Sequence, residues 1–423
     1  MGKKVSLYFF KRKSIEEYGF LFFYLGIFFL PSTIFLGFLF LLPSLLISSF
    51  CLSNTNFFQD KWNFPYLLFG ILILSSAILQ NFIFVNKYFG IWDPNLSLIG
   101  LANWVPLILT FWAVQPYVNS NAKRRKFAIV LIAGTFPVLI TGFGQYFLNW
   151  TGPFETLNGL IIWYQRPIIN PGGLSGLFSN QNYAGSWLNF VWPFCLALIL
   201  EKGTNIFRKT AAYSFLISTA IAAFLTFSRN AWIGLFTSLP IVSGKKGVRF
   251  LLPLFTIIIL ILFFIFSPIF NGELQNELRS LFPKKIFLEF NDQGYQGLDV
   301  RRIEIYKNAI NLIKENPLFG IGAASFSKIF FLETSFWKGH SHNLLLELSI
   351  SYGLPSAFCF FITTSNILYL SSKKIFFNKI INNLHFFDRA VWSSLFVFLI
   401  SQLFDIQYFD GKISLISWIL IAS

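Results

Sequence analysis

Long apolar runs separated by short polar connections dominate the pattern of this chain. Tyr18 to Phe50 contains no charged residue and is too long for one crossing, since about 20 apolar residues span a bilayer. Pro31-Ser32-Thr33 offers a break, which predicts two helices over 18–30 and 33–50. Further runs predict spans near 65–84, 98–118, 127–149, 185–200, 210–227, 230–243, 250–270, 343–370 and 390–407. A last run, 413–423, is short and reads as a partial span or a truncated end. An outer-membrane barrel would instead show alternating segments of roughly ten residues, and these runs are continuous. The expected class is an all-α membrane protein of about 12 transmembrane helices, with 1–423 as a single polytopic domain.

The polar connections predict an orientation. Lys/Arg-rich connections belong on the cytoplasmic side. The N-terminus carries Lys3, Lys4, Lys11, Arg12 and Lys13. Counting onward, alternate connections carry Lys123-Arg124-Arg125-Lys126, then Lys202, Arg208 and Lys209, then Lys245, Lys246 and Arg249, then Lys373, Lys374, Lys379 and Arg389. The short connections on the other side hold few cations: Lys87, Arg166 and Lys412. Two longer connections fall on that outer side, 150–184 and 271–341. Long connections translocate regardless of charge, which leaves the cations of the second available to a ligand.

Composition narrows the picture. Hydrophobic residues are 55% of the chain and charged residues 12%, half the usual charged share of a soluble domain. Mean hydropathy is +0.62. The net charge of +15 reports topology in such a chain rather than nucleic-acid binding. Cys51, Cys195 and Cys359 lie in or beside apolar runs without metal or redox spacing, as small buried hydrophobes do. The apolar region after the basic N-terminus is too long for a cleavable signal peptide.

The candidate chemistry gathers in the outer connections. Trp163-Tyr164-Gln165-Arg166-Pro167 precedes Gly172-Gly173-Leu174-Ser175-Gly176-Leu177-Phe178-Ser179-Asn180-Gln181-Asn182, where glycines suit a tight turn and Asn or Ser suits a helix cap. Arg166 is the only Lys or Arg between Lys126 and Lys202. Arg229, within Thr226-Phe227-Ser228-Arg229-Asn230, interrupts an apolar region, and an arginine beside hydrocarbon needs a partner. Its guanidinium suits phosphate oxygens, although a plain hairpin tip would also place it there. Arg301, Arg302, Ile303, Tyr306, Ala309, Ile310, Leu312 and Ile313 recur at roughly helical spacing. This predicts a surface helix that binds either a specific anion or anionic lipid, ended by Pro317-Leu318-Phe319-Gly320-Ile321-Gly322. His340 and His342 share a face if extended, but no Cys or carboxylate stands at convincing metal-ligand spacing. His342, followed by Asn343 with Glu347 a helical turn on, reads as a helix start with an aimed imidazole. A neutral imidazole is a natural base for a hydroxyl.

Four arginines and an imidazole without a carboxylate pair do not suit a glycosidase, which needs two carboxylates. They suit displacement of a phosphorylated leaving group by an alcohol, with arginines holding the phosphates and His342 deprotonating the nucleophile. A lipid-tailed donor would explain the site's place at a membrane surface.

The ordered set Gly176 to Asn182, Thr226 to Arg229, Arg301 with its helix, Pro317 to Gly322, and His340-Ser341-His342-Asn343 through Glu347 to Gly353 resembles the O-antigen ligase and O-antigen polymerase superfamily. The resemblance runs from about 140 to 420 and takes in Gln145 and Asp405. It implies a GT-C-type bacterial inner-membrane glycosyltransferase, inverting and independent of metal or other cofactor. The N-terminus would be cytoplasmic and the active site periplasmic, with 271–341 as a large, partly helical periplasmic loop. Glycan would pass from an undecaprenyl-diphosphate carrier to lipid A-core in a ligase, or to another lipid-linked glycan in a polymerase. By position, Arg229 and Arg301 resemble the donor-diphosphate arginines, with Arg302 and Arg166 as further candidates. His342 resembles the base, and His340, Asn343 and Tyr306 are accessory. A transporter is the competing class; it would place charges within helices and show inverted repeats. A scaffold whose arginines bind headgroups is the third.

Overall fold

The computed structural model describes residues 2–52, 57–82, 92–156, 158–159, 161–163, 165–168, 172–267, 272–281, 302–377 and 385–423. Arg301 and Tyr164 lie outside them. The helices are α1 (Gly2–Phe29), α2 (Ile34–Ile47), α3 (Asn63–Phe82), α4 (Asn95–Gly100), α5 (Val105–Val118), α6 (Asn121–Leu148), α7 (Gln181–Leu200), α8 (Ile206–Leu225) and α9 (Arg229–Phe266). They continue as α10 (Glu273–Leu281), α11 (Arg302–Glu315), α12 (Ser325–Thr334), α13 (Leu344–Tyr352), α14 (Leu354–Phe377), α15 (His385–Ser401) and α16 (Gly411–Ile421). One antiparallel hairpin, β1 (Phe154–Thr156) with β2 (Ile161–Trp163), pairs Phe154 with Trp163 in the 150–184 connection. It is a small departure from the all-helical expectation.

Six described helical stretches are long and apolar enough to cross a membrane: Ile34–Cys51, Asn63–Phe82, Asn95–Val118, Asn121–Leu148, Gln181–Leu200 and Leu354–Phe377. Their outward faces are themselves apolar: Phe38, Leu39, Leu42, Ile71, Leu74 and Ile362 are all exposed. A soluble surface rarely carries such continuous bands, so these faces have lipid as their solvent. Hydroxyls inside the helices bond back to the preceding turn, as Thr135 does to the Leu131 carbonyl and Thr364 to that of Phe360, which satisfies them without water.

α7 is the axis of the bundle. Its residues from Ala184 to Ala197 are all buried, and α6, α8, α9 and α15 pack around it. Helices approach closely where a side chain is missing: a Cβ on Gly134 of α6 would lie 2.3 Å from the Phe28 carbonyl of α1. Small residues at such crossings let backbones touch where hydrophobic collapse gives little drive.

The apolar run 343–370 is not one helix. Gly353, at φ +88°, separates α13 from α14, and Pro355 follows within the first turn of α14, where a missing N–H costs nothing. The turn at 317–322 docks into this break: Leu354 donates to the Pro317 carbonyl (2.8 Å) and Ile321 to that of Ile350 (2.7 Å). A Cβ on Gly353 would meet the Leu318 carbonyl at 2.0 Å. Two motifs distant in sequence are thus one joint. α11 then seats on α13 through Ile305, Ala309, Leu312 and Ile313. Ile303 and Ile310, expected on the same apolar face, are exposed, because the true stripe follows i, i+4, i+7, i+8 from Ile305.

Candidate active site

Two loops are clamped together to make the site. The first joins α15 to α16. Gln402 fixes it, donating to Gln407 Oε1 (2.8 Å) and accepting from the Gln407 and Tyr408 amides (3.0 and 3.1 Å). Tyr408 stacks on Trp104 with centroids 4.3 Å apart and donates to the Asn103 carbonyl. Asp405 sits within this loop and is buried. The second loop leads into α13. Asn343 caps that helix, its Oδ1 accepting from the Leu346 amide, while its Nδ2 donates to the Leu403 carbonyl (3.0 Å). Leu344 N donates to the Gln402 carbonyl (2.8 Å). Asn343 is therefore a fastener between the two loops.

Between these fastenings His342 Nδ1 meets Asp405 Oδ1 at 2.8 Å. Asn182, in the first turn of α7, donates to the other oxygen, Oδ2, also at 2.8 Å. His342 has φ +56°, a left-handed conformation that a non-glycine residue holds only when its surroundings insist. They do: Ser341 N donates to buried Glu347 (2.8 Å) on one side and Asn343 is locked on the other. Strain of this kind aims a side chain.

Burial by itself would raise the Asp405 pKa. The His342 hydrogen bond and the charges of His342, His340 and Arg302 outweigh it and hold the carboxyl below its usual range. An ionised carboxylate only accepts, so the His342 Nδ1 that faces Asp405 is the donor, and Nε2 is the ring nitrogen left for a substrate. With 26% of its side chain exposed, His342 can be reached by a substrate. His340 lies edge-on to it, ring centroids 4.5 Å apart, and its Nδ1 accepts from the His342 amide (3.1 Å). Burial, reinforced by His342 and Arg302, pushes the His340 pKa down to about 4, so it is neutral at physiological pH.

This makes a testable statement about stability. An unfolded histidine takes up a proton near its ordinary value of 6.5 while folded His340 resists to about 4. Stability is then fully present above pH 6.5 and falls as pH drops between those values, by on the order of 3 kcal/mol at most. Melting of purified His340→Gln in detergent is expected to show a shallower loss from pH 6.5 to 4.5 than the parent. Parallel curves would remove this account.

The expected site residues are brought together unequally. His340, His342 and Arg302 are one electrostatic group with Asp405. Arg229 opens α9 beside the same first turn of α7 that supplies Asn182: Gly185 packs on Ser228 and Ala231. The Arg166 carbonyl is held by Gln145 Nε2 (2.7 Å), whose Oε1 accepts from Ser175 and Gly176. That glutamine ties the loop of Arg166 to the glycine turn, and Leu174 N in turn bonds the Leu225 carbonyl just before Arg229. Tyr306 is half-buried against the α11–α13 core rather than shown on the imidazole. Arg301 lies outside the described residues. Sequence reasoning named Asn182 within the Gly176–Asn182 motif and Asp405 within the resemblance but gave neither a role, and it passed over Gln402.

His340, His342 and Asp405 offer donor atoms within 4.8 Å of one another, and are the group among the described residues able to hold a metal. In this structure His340 Nδ1 accepts from the His342 amide, His342 Nδ1 meets Asp405 Oδ1, and Asp405 Oδ2 accepts from Asn182.

Residues 213–361 match the Wzy_C family model, described as O-antigen ligase. This stretch is similar to the O-antigen ligase family. It takes in Arg229, Arg302, the 317–322 turn, His342 and Gly353, and covers about a third of the chain. The partners Asn182 and Asp405 come from outside the matched stretch, from α7 and the α15–α16 loop. No curated protein matches the chain.

Proposed function

We propose that the chain is a periplasmic-facing inverting glycosyltransferase of about twelve spans and GT-C type. It moves glycan from undecaprenyl diphosphate to an acceptor hydroxyl in the bacterial inner membrane. The reading is supported by the His342–Asp405–Asn182 chain, which leaves His342 Nε2 for a substrate, and by Arg302, which acts on the same group. The acceptor O–H gives its proton to His342 Nε2 while its oxygen attacks the anomeric carbon from the face opposite the diphosphate. The bond from that carbon to the diphosphate oxygen breaks, and the electron pair leaves with undecaprenyl diphosphate. One displacement inverts the anomeric centre. Arg229, Arg301, Arg302 and Arg166 are assigned to the departing diphosphate, where fixed cations lower the barrier as charge develops.

The arginines supply the charge that a divalent ion would supply elsewhere, so the reaction needs no metal. Purified protein given lipid-linked glycan and lipid A-core is expected to form the ligated product at an unchanged rate in EDTA. Loss of turnover that returns with added metal would reassign His340, His342 and Asp405 as ligands. Transfer to a second lipid-linked glycan in place of lipid A-core would make the enzyme a polymerase. Solute uptake by proteoliposomes without any glycan transfer would make it a transporter.

A further inference from the structure

At the Lys/Arg-rich end of the bundle, away from His342 in the chain, a cleft of about 320 Å³ opens between α6 and α8. Its inner walls are apolar, formed by Ile129, Ile132, Leu198 and Phe215, and its mouth is polar, with Arg125, Glu201, Thr204 and Arg208. The polar groups are incompletely matched. Glu201 is only 8% exposed; its Oε1 accepts from Arg125 Nε at 2.7 Å. Its Oε2 and the Thr204 hydroxyl are buried without a partner. Arg208 lines the same cleft and is exposed; its hydrogen bond runs from the backbone amide to Asn205, which leaves the guanidinium to an incoming anion.

A buried acceptor lacking a donor and a cation lacking an anion, at the rim of an apolar slot, are the two halves of a zwitterion's receptor. We propose that this cleft binds an aminophospholipid of the phosphatidylethanolamine type. Its ammonium would meet Glu201 Oε2 and Thr204, its phosphate Arg208 and the terminal nitrogens of Arg125, and an acyl chain would lie along Ile129, Ile132 and Phe215. The terminal torsion of a glutamate is soft, so Oε2 can turn to a donor entering the cleft. A purely anionic headgroup would satisfy the arginines and set a negative charge against Glu201. A quaternary ammonium brings no N–H for the carboxylate to accept. Guanidinium and phosphate match in geometry as well as charge.

The site is independent of glycan transfer and is tested by binding. Delipidated full-length protein in detergent is titrated with phosphatidylethanolamine, phosphatidylcholine, phosphatidylglycerol and free phosphoethanolamine, with bound lipid read by native mass spectrometry. Phosphatidylethanolamine is expected to be retained about tenfold more tightly than the other two lipids, the discrimination of one charge-assisted hydrogen bond. Free phosphoethanolamine, lacking an acyl chain, should not compete. Glu201→Gln should erase the preference, whereas Arg208→Ala, which removes the partner of a phosphate common to all three lipids, should weaken retention of each by about tenfold. Arg208→Ala removes no protein hydrogen bond of its side chain and should melt as the parent does, so its loss of lipid retention keeps the proposal falsifiable if Glu201→Gln proves unstable. Equal retention of all three lipids, preference for phosphatidylglycerol, competition by phosphoethanolamine, or undiminished lipid retention in Arg208→Ala would each overturn the proposal.

Discussion

His342→Ala is expected to lower the turnover of glycan transfer by at least about a hundredfold and up to about ten-thousandfold, the range that a positioned general base contributes. The reason is local. His342 is held in a left-handed conformation, pinned through Ser341 to Glu347 and through Asn343 to Leu403, and its Nδ1 is committed to Asp405. Only Nε2 is left to act, and alanine removes it. The diphosphate should still bind, because that task is assigned in the proposed mechanism to arginines on other elements, so the KM for the lipid-linked donor is expected to change far less than kcat. The variant should remain folded: the imidazole is partly exposed, and the loop's fastenings are made by Asn343 and by the Leu344 amide. Unchanged transfer by purified, inserted His342→Ala protein would rule out the base assignment.

Asp405→Asn is expected to cost nearly as much, roughly a thousandfold or more in kcat, as when an acceptor that fixes a histidine tautomer is replaced by an amide. Asp405 does not touch substrate; it is a positioning residue. Its ionised carboxylate accepts from His342 and from Asn182. An asparagine of the same shape can turn its NH2 toward His342 Nδ1, which moves the ring proton to Nε2 and removes the base. A merely structural role would predict a lower melting temperature with kcat preserved in the surviving enzyme. The positioning role predicts the reverse: intact melting, a preserved donor KM and a collapsed kcat. Asp405→Asn with kcat within a few fold of the parent would end the argument for the pair.

Much of the fold was legible without coordinates because lipid imposes one-dimensional rules. Continuous apolar runs must be helices, since only helices and closed barrels satisfy a backbone in hydrocarbon and barrel strands alternate, and the helices lie where the runs do. The error at 343–370 came from the same rule. A run long enough for a crossing gives no sign that Gly353 breaks it, because the break is stabilised by the 317–322 turn from another part of the chain. The helix of Arg302 was likewise found, but its buried face was misread at Ile303 and Ile310. Two adjacent stripes are equally apolar in sequence, and packing on α13 selects one.

The residue types of the site were legible for a related reason. Cations and an imidazole are expensive at a membrane surface, so Arg229, Arg302 and His342 stand out against their surroundings. Their grouping was not. Asp405 lies 63 residues after His342 in sequence, and Asn182 lies 223 residues before Asp405. No local pattern can state that three such groups share two hydrogen bonds. The sequence by itself determined that the chain builds a helical membrane scaffold with an exposed basic and imidazole-bearing side. The tertiary structure alone decided which nitrogen of His342 is left to act. That follows from which acceptor is brought against the other nitrogen, and only the clamping of the α13 loop onto the α15–α16 loop brings Asp405 there.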